Sequence, residues 1–282
     1  MLQQVTVRVP ASTSNLGPGF DCLGVALRIY NDVTISRAIA VRCSLPRIVS
    51  QAAAAFFGRA RRRSFAFSCS IKDQIPRARG LGGSATIRLG VIHGLNELAG
   101  KPLDRLSIFR LCAELEGHPD NAGPATFGGF TVASSHAIQC FQVSPRLCFV
   151  LLIPEIEIKT SSARKILPRQ IARTKAVENC RNASAITAAF AARKYEDLRG
   201  VFVDHLHQPF RQKLVPFLSR VISAAEKAGA LGAFLSGSGS TICAITLQDR
   251  DKVAEAMKRA AGSISARTII TTADNRGVHI RN

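Results

Sequence analysis

The chain has no tryptophan and only two tyrosines, Tyr30 and Tyr195, in 282 residues. So few stacking platforms argue against recognition of single-stranded nucleic acid. Acidic residues are also scarce: 19 Asp and Glu face 38 Lys and Arg, for a formal net charge of +19. A charge of that size is a footprint of nucleic-acid binders. Here, however, the cations are spread along the chain, and only Arg59–Arg63 (RARRR) is dense. A basic surface that aids solubility and attracts small anions accounts for the excess, with that run as a solvated loop. No nucleic-acid partner is expected. No apolar stretch reaches the roughly 18–20 uncharged residues that span a bilayer. The first residues, MLQQVTVRVPAS, lack the basic and apolar regions of a signal peptide. These absences point to a soluble, cytoplasmic protein with no membrane partner. There is also no C-x-x-C pair. The eight cysteines, Cys22, Cys43, Cys69, Cys112, Cys140, Cys148, Cys180 and Cys243, are scattered among apolar neighbours, as reduced core residues would be. The six histidines do not fall at zinc-ligand spacing with them.

What is there centres on Ile75–Gly100, where a glycine-rich turn runs into an amphipathic helix. Gly80, Gly82 and Gly83 lack Cβ atoms, so their backbone N–H groups can converge on an anion. Ser84 stands where the helix begins, with the positive end of the helix dipole behind it. That is the composition of a phosphate cradle, although a plain tight turn reads the same way. It is not the common cradle, because no G-x-x-x-x-G-K-[ST] sequence occurs and the loop has no lysine.

Val5–Val9 alternates as a strand, Pro10–Phe20 reads as a loop, and Gly24–Ile29 and Asp32–Ser36 read as further strands. Ile48–Phe57 predicts a short helix and Phe65–Ile71 a strand, followed by helices over Ser84–Leu98 and Leu103–Leu115. Gly117–Ala125 breaks the pattern. Strands are expected at Phe130–Ser134, Gln139–Val143 and Cys148–Ile153, and helices at Ser162–Leu167, Ala176–Ala192, Glu196–Val203 and Phe217–Ala228. Strands Ala233–Leu235 and Thr241–Thr246 flank the loop SGSGS, and helix Arg250–Ala261 precedes a closing strand, Ala266–Thr272. Strands mixed with helices without regular alternation predict an α+β fold. A soft boundary near residue 150 divides it into 1–150 and 151–282.

Three polar, turn-rich segments stand out: Asn15–Asp21 (NLGPGFD), Gly80–Ser84 taken with Glu114, Glu116, His118, Asp120 and Asn121, and Ser236–Thr241 (SGSGST). Each alone has a bland explanation as caps, helix-face carboxylates or a hairpin. In order, P-x-x-x-N-L-G-P-G-F-D, P-x-x-x-G-L-G-x-S-A, E-G-H-P-D-N-x-x-P-A and S-G-x-G-x-T resemble the GHMP kinase superfamily, most closely its homoserine kinase family. KTSSARKILP and HQPFR match too, and the resemblance runs from about Val5 to Ile270.

The resemblance implies an α+β fold in two parts: a ribosomal protein S5 domain 2-like N-terminal part that binds ATP, and a ferredoxin-like C-terminal part. It implies transfer of the ATP γ-phosphoryl group to the L-homoserine hydroxyl, giving O-phospho-L-homoserine in threonine biosynthesis. Another small-alcohol kinase, of mevalonate or shikimate type, and a catalytically silent ligand-binding relative are the alternatives. By that resemblance ATP lies on Pro76, Arg77, Ala78, Arg79, Gly80, Leu81, Gly82, Gly83, Ser84 and Ala85. Ser84 and Glu116 would hold Mg2+, an oxygen-only set suited to a hard ion. Asn15, Asp21, His118, Asn121, Thr160, Arg164 and Arg211 would meet the amino acid, the arginines at its carboxylate. Asn121, Ser84 and Glu116 are the expected catalytic group. No general base is named, and Asp120 is given a structural role. A homodimer is also implied. Three departures from the family pattern stand out: Gly83 replaces a serine of G-L-G-S-S-A, Ser240 replaces a common proline, and the Ala38–Ser64 segment near the adenine is short, with Arg47-Ile48-Val49 where an asparagine commonly precedes Leu-Val.

Overall fold

The computed structural model describes residues 2–38, 44–134 and 137–281. Cys43 and part of the short segment lie outside them. The first strand, β1 (Gln4–Ser14), begins as the alternation of Val5, Val7 and Val9 requires, all three buried. It does not stop at Pro10. The strand shifts register between Pro10 and Ala11 and continues to Ser14, so the loop expected from Pro10 starts five residues later. A proline, which cannot donate to the ladder, is tolerated at such a bulge. The two strands expected next are one, β2 (Leu23–Arg37), paired antiparallel with β1 along nearly its full length. β3 (Phe67–Lys72) and β4 (Phe130–Ala133) share the other edge of β2 at opposite ends, and β5 (Ile138–Phe141) pairs with β4. A strand not expected, β10 (His279–Arg281), returns from the far end of the chain to pair with β1.

Helices α1 (Arg47–Ala60), α2 (Gly83–Leu98) and α3 (Arg105–Glu116) bury a shared core against this sheet. α3 starts at Asp104, whose carboxylate accepts the Ser107 N–H at 2.7 Å, and stops at Gly117 in the left-handed conformation. A short helix unforeseen in the broken stretch, α4 (Ala122–Phe127), follows Asn121. Pro124 fits there because it lies in the first turn, where a backbone N–H has no helical partner.

The second sheet has the order β7-β8-β6-β9, with β6 (Cys148–Pro154), β7 (Gly232–Leu235), β8 (Ile242–Thr246) and β9 (Ala266–Thr272), all antiparallel. Along β6 the side chains alternate between two cores. Phe149, Leu151 and Ile153 join Leu23, Val25, Leu27 and Phe130 of the first sheet, while Val150 and Leu152 pack under α8 (Leu218–Lys227) and α9 (Arg250–Ala261). The two sheets therefore share one apolar layer. The remaining helices are α5 (Thr160–Lys165), α6 (Arg173–Ala192) and α7 (Gln208–Arg211). The helix expected over Glu196–Val203 is only a 3-10 turn, Tyr195–Leu198, because Gly200 at φ 78° turns the chain away. Of the described cysteines, all free, only Cys112, Cys148 and Cys243 are buried; Cys140 and Cys180 are exposed, contrary to a uniform core role. Among the described residues no helix is long and apolar enough to cross a membrane.

Candidate active site

The three polar segments meet in one cleft of ≈ 460 Å³ between the end of β1, the start of α2 and the start of α5. Its floor is the last turn of β1. Ser12, Thr13 and Ser14 are fully buried, and their hydroxyls are used to bind the loops together. Ser12 Oγ donates to Asn121 Oδ1 at 2.8 Å, and Thr13 Oγ1 lies 2.8 Å from Ser236 Oγ. Ser236 Oγ in turn donates to Gly80 O at 2.7 Å. The glycines are required by this closeness. A Cβ on Gly80 would lie 2.0 Å from Ser236 O, and one on Gly82 2.2 Å from Ser12 Oγ, and both residues have left-handed φ. Gly83 differs, since a Cβ there would meet nothing nearer than Ile75 Cγ2 at 3.9 Å.

From Gly80 to Ser84 the backbone N–H groups donate to no protein acceptor among the described residues. α2 has no side-chain cap, so these donors and the helix dipole face the cleft together, an arrangement suited to polyphosphate. At the mouth of this cradle Ser84 Oγ donates to Glu116 Oε2 at 2.6 Å, while Arg88 bonds the other carboxylate oxygen. A hydroxyl and a carboxylate adjoining a phosphate cradle are a fitting oxygen set for Mg2+, with Arg88 orienting the carboxylate.

The other end of the cleft is charged. Asn15 and Asp21 have left-handed φ of 70° and 58° in a tightly folded loop. Asn15 Oδ1 accepts the Asp21 N–H at 3.0 Å, and its Nδ2 donates to Gly237 O at 3.1 Å, tying the first loop to the third. The Asp21 carboxylate receives both Arg164 Nη groups, at 2.6 and 2.9 Å. Arg211 lies behind them, 2% exposed, with its guanidinium donating to Ala163 O, Gly237 O and His207 Nδ1. It has no carboxylate partner among the described residues, and burial, with the neighbouring Arg164, lowers its pKa to about 10. It remains charged at neutral pH. His207 is fully buried, and burial pushes its pKa down to about 4. Neutral, it donates from Nε2 to Gly17 O at 2.9 Å and accepts from Arg211.

Between the two ends sit His118, Asp120 and Asn121. His118 Nδ1 lies 2.5 Å from Asp120 Oδ1. Burial disfavours the imidazolium, but the hydrogen bond and charge of Asp120 outweigh it and raise the His118 pKa. Burial likewise pushes Asp120 up, yet His118 and Ser14 hold its carboxyl below the ordinary value. The Asn121 amide donates to Ser14 Oγ at 3.2 Å and Asp120 Oδ1 at 3.3 Å, which uses both its hydrogens. Asp21, His118 and Asp120 each offer a ligand atom within 4.8 Å of the others, but each already has a protein partner.

Two family models match the chain, one described as GHMP kinases N terminal domain over residues 47–129 and one as GHMP kinases C terminal over residues 187–263. A homoserine kinase of Synechococcus sp. is 38% identical over 297 residues, covering 99% of this chain and 94% of its own. The chain belongs to the homoserine kinase family of the GHMP kinases. A homoserine kinase of Halothermothrix orenii is 35% identical, covering 98% of this chain and 96% of its own. Among solved structures, homoserine kinase from Cytophaga hutchinsonii aligns with a TM-score of 0.91 at 26% identity, covering 100% of this chain and 98% of its own. A mevalonate kinase with a TM-score of 0.72 at 17% identity shares the fold. As a GHMP kinase, the chain is an ATP-dependent phosphotransferase with an alcohol acceptor.

Of the family-based site residues, Asn15, Asp21, Ala78–Ser84, Glu116, His118, Asn121, Thr160, Arg164 and Arg211 all line the cleft. Pro76, Arg77 and Ala85 do not. Arg77 is exposed and pairs with Asp73, and Ala85 is buried beneath the helix start. Sequence reasoning missed Ser12, Ser14, Arg88 and His207, which hold the named residues in place, and Phe20 and Lys159, which line the cleft. The spacing Glu116–Asp120 hides Arg88, whose partner is 28 residues away. His207 was legible as part of HQPFR, four residues before Arg211 and thus on its helical face.

Proposed function

We propose that this chain transfers the γ-phosphoryl group of ATP to the hydroxyl of L-homoserine, giving O-phospho-L-homoserine on the way to threonine. The observation that carries this reading is Arg211, a buried guanidinium without a carboxylate partner among the described residues, beside the Asp21–Arg164 pair. A desolvated cation of this kind favours an anion that brings its own bonding oxygens. A zwitterionic amino acid offers a carboxylate to Arg211 and Arg164 and an ammonium to Asp21. Mevalonate and shikimate carry a carboxylate but no ammonium, so Asp21 is the residue that favours homoserine over them.

ATP would lie with its phosphates on the Gly80–Ser84 N–H groups. Ser84 and Glu116 would hold Mg2+, which supplies positive charge to the phosphate oxygens. The substrate hydroxyl oxygen forms a bond to the γ-phosphorus while the bond to the bridging oxygen breaks, its electron pair leaving with ADP and the hydroxyl proton being released. A loose transition state of this kind is accelerated by positioning and charge more than by covalent help. Asn15 and Asn121 would act through placement, because their amides hold the three loops in register around the acceptor. Thr160, at the start of α5, would line the acceptor pocket with His118.

Residues 1–150 form the ATP-binding part in this reading and 151–282 the second part, supported by family matches on either side of residue 150. From the resemblance we infer a cytoplasmic homodimer. ADP release from Mg·ATP with L-homoserine, mevalonate and shikimate tests the function. Turnover at least about 100-fold better with L-homoserine is expected, below the roughly 10⁴–10⁵ of a fully buried polar site because Asp21 and Arg164 are partly exposed. Comparable turnover on mevalonate or shikimate moves the reading to another small-alcohol kinase. No turnover with any acceptor moves it to a silent relative.

A further inference from the structure

The glycine loop offers N–H donors but no side-chain cation, so charge to neutralise a terminal phosphate must reach it from elsewhere in the cleft. Among the described residues, four Lys and Arg side chains line that cleft: Arg79, Lys159, Arg164 and Arg211. Arg79 donates to Pro154 O at 2.8 Å and pairs with Glu157. Arg164 is held by Asp21, and Arg211 is buried at the amino-acid end among its own acceptors. Lys159 alone among them has no hydrogen bond or ion pair from its side chain within the described residues.

Its backbone is nevertheless fixed. Ser240 Oγ donates to Ile156 O at 2.5 Å, the Ile158 N–H donates to Ala78 O at 3.0 Å, and Thr160 Oγ1 lies 3.5 Å from Ser238 Oγ. Alternate residues of this extended segment are thus pinned to the two glycine-rich loops, and Lys159 stands between two of the pins. Lys159 is also the residue just before α5, which carries Thr160 and Arg164. An ammonium on a flexible stem, unpaired among the described residues, is held at the rim of the cleft that the free N–H groups of the glycine loop also line.

We propose that Lys159 is a catalytic residue of the phosphoryl transfer, its ammonium binding the γ-phosphoryl oxygens of ATP laid along the Gly80–Ser84 cradle. The proposal rests on the ATP site argued above. Lys159 acts as a mobile point charge, the part that lysine plays in the common phosphate loop. Its charge gains strength once nucleotide and acceptor displace water from the cleft.

The test compares Mg2+-bound ADP with a non-hydrolysable ATP analogue by calorimetry, on wild type, Lys159→Met and Lys159→Arg. In Lys159→Met the analogue should weaken by about tenfold while ADP stays within about twofold, and kcat should fall by about tenfold or more, below the roughly 10²–10³ of a fully water-excluded donor. KM for L-homoserine should stay within about twofold, and Lys159→Arg should recover most of the loss. Equal weakening of ADP and analogue, an unchanged analogue affinity, or a rise confined to the homoserine KM would each overturn the assignment. The binding comparison needs no acceptor. Failure of wild type to turn over L-homoserine would overturn the substrate reading and leave the ADP-to-analogue ratio to judge Lys159.

Discussion

Single residues decide the chemistry at both ends of the cleft. Ser84 Oγ is the hydroxyl at the mouth of the cradle, bonded to Glu116. Ser84→Ala should abolish turnover, and near-wild-type kcat would sink the Mg2+ assignment. Gly83→Ser should leave activity intact or raise it, because its Cβ enters open space and α2 gains a hydroxyl near its start; a loss of more than about threefold would count against the cradle as drawn. At the other end, Arg211→Lys keeps a charge but loses the planar fork. KM for L-homoserine should rise about 10- to 100-fold with KM for ATP little changed. A parallel rise in both constants would mean that Arg211 supports the whole cleft rather than the carboxylate.

At the scale of elements, α2 matters most, since its N-terminus is one wall of the site and its length is the core of the first sheet. Two glycines one turn apart let it sit close on β2. A Cβ on Gly90 would lie 2.4 Å from Val33 Cγ2, and one on Gly94 2.5 Å from Ile35 Cγ1. Glycine is a poor helix former, and alanine in an exposed helix would add stability. Here it should do the reverse. Gly90→Ala should cost about 1–3 kcal/mol in urea unfolding through overpacking, and a rise in midpoint would mean that α2 rides higher on the sheet. The bulge at Pro10–Ala11 is the companion device on β1. It carries Ser12–Ser14 onward as a buried strand, so their hydroxyls reach Asn121 and Ser236.

For the whole molecule, fully buried His207 and half-buried His93 set the response to acid. Burial lowers the pKa of His207 to about 4 and that of His93, whose Nε2 has no partner among the described residues, to about 3. The unfolded chain takes up a proton at each near pH 6.5, so between about pH 6.5 and 4 it binds more protons than the folded one. Stability therefore falls with pH in that window, by up to about 1.4 kcal/mol per pH unit for each group. His118 works oppositely. Its raised pKa gives stability that is present at low pH and lost as pH rises through its folded value. Two groups outweigh one, and urea midpoints should drop from pH 7 to pH 5. A flat or rising profile would show that the two histidines accept protons in place.

Local pattern and motif were enough for the α+β class, the long helix with its glycine loop, and the three polar segments that carry the family likeness. Those features depend on side-chain period and on glycine's missing Cβ, which are properties of neighbours in the chain. Tertiary structure alone decided the rest. The continuation of β1 past Pro10 depends on buried hydroxyls finding partners over a hundred residues away, and β10 exists because β1 offers it an edge. That Asp21 faces Arg164, and that among the described residues Arg211 has no carboxylate and Lys159 no side-chain partner at the cleft, are facts of distance in space. No spacing along the sequence encodes them, because each is set by where two sheets sharing one core bring their loops together.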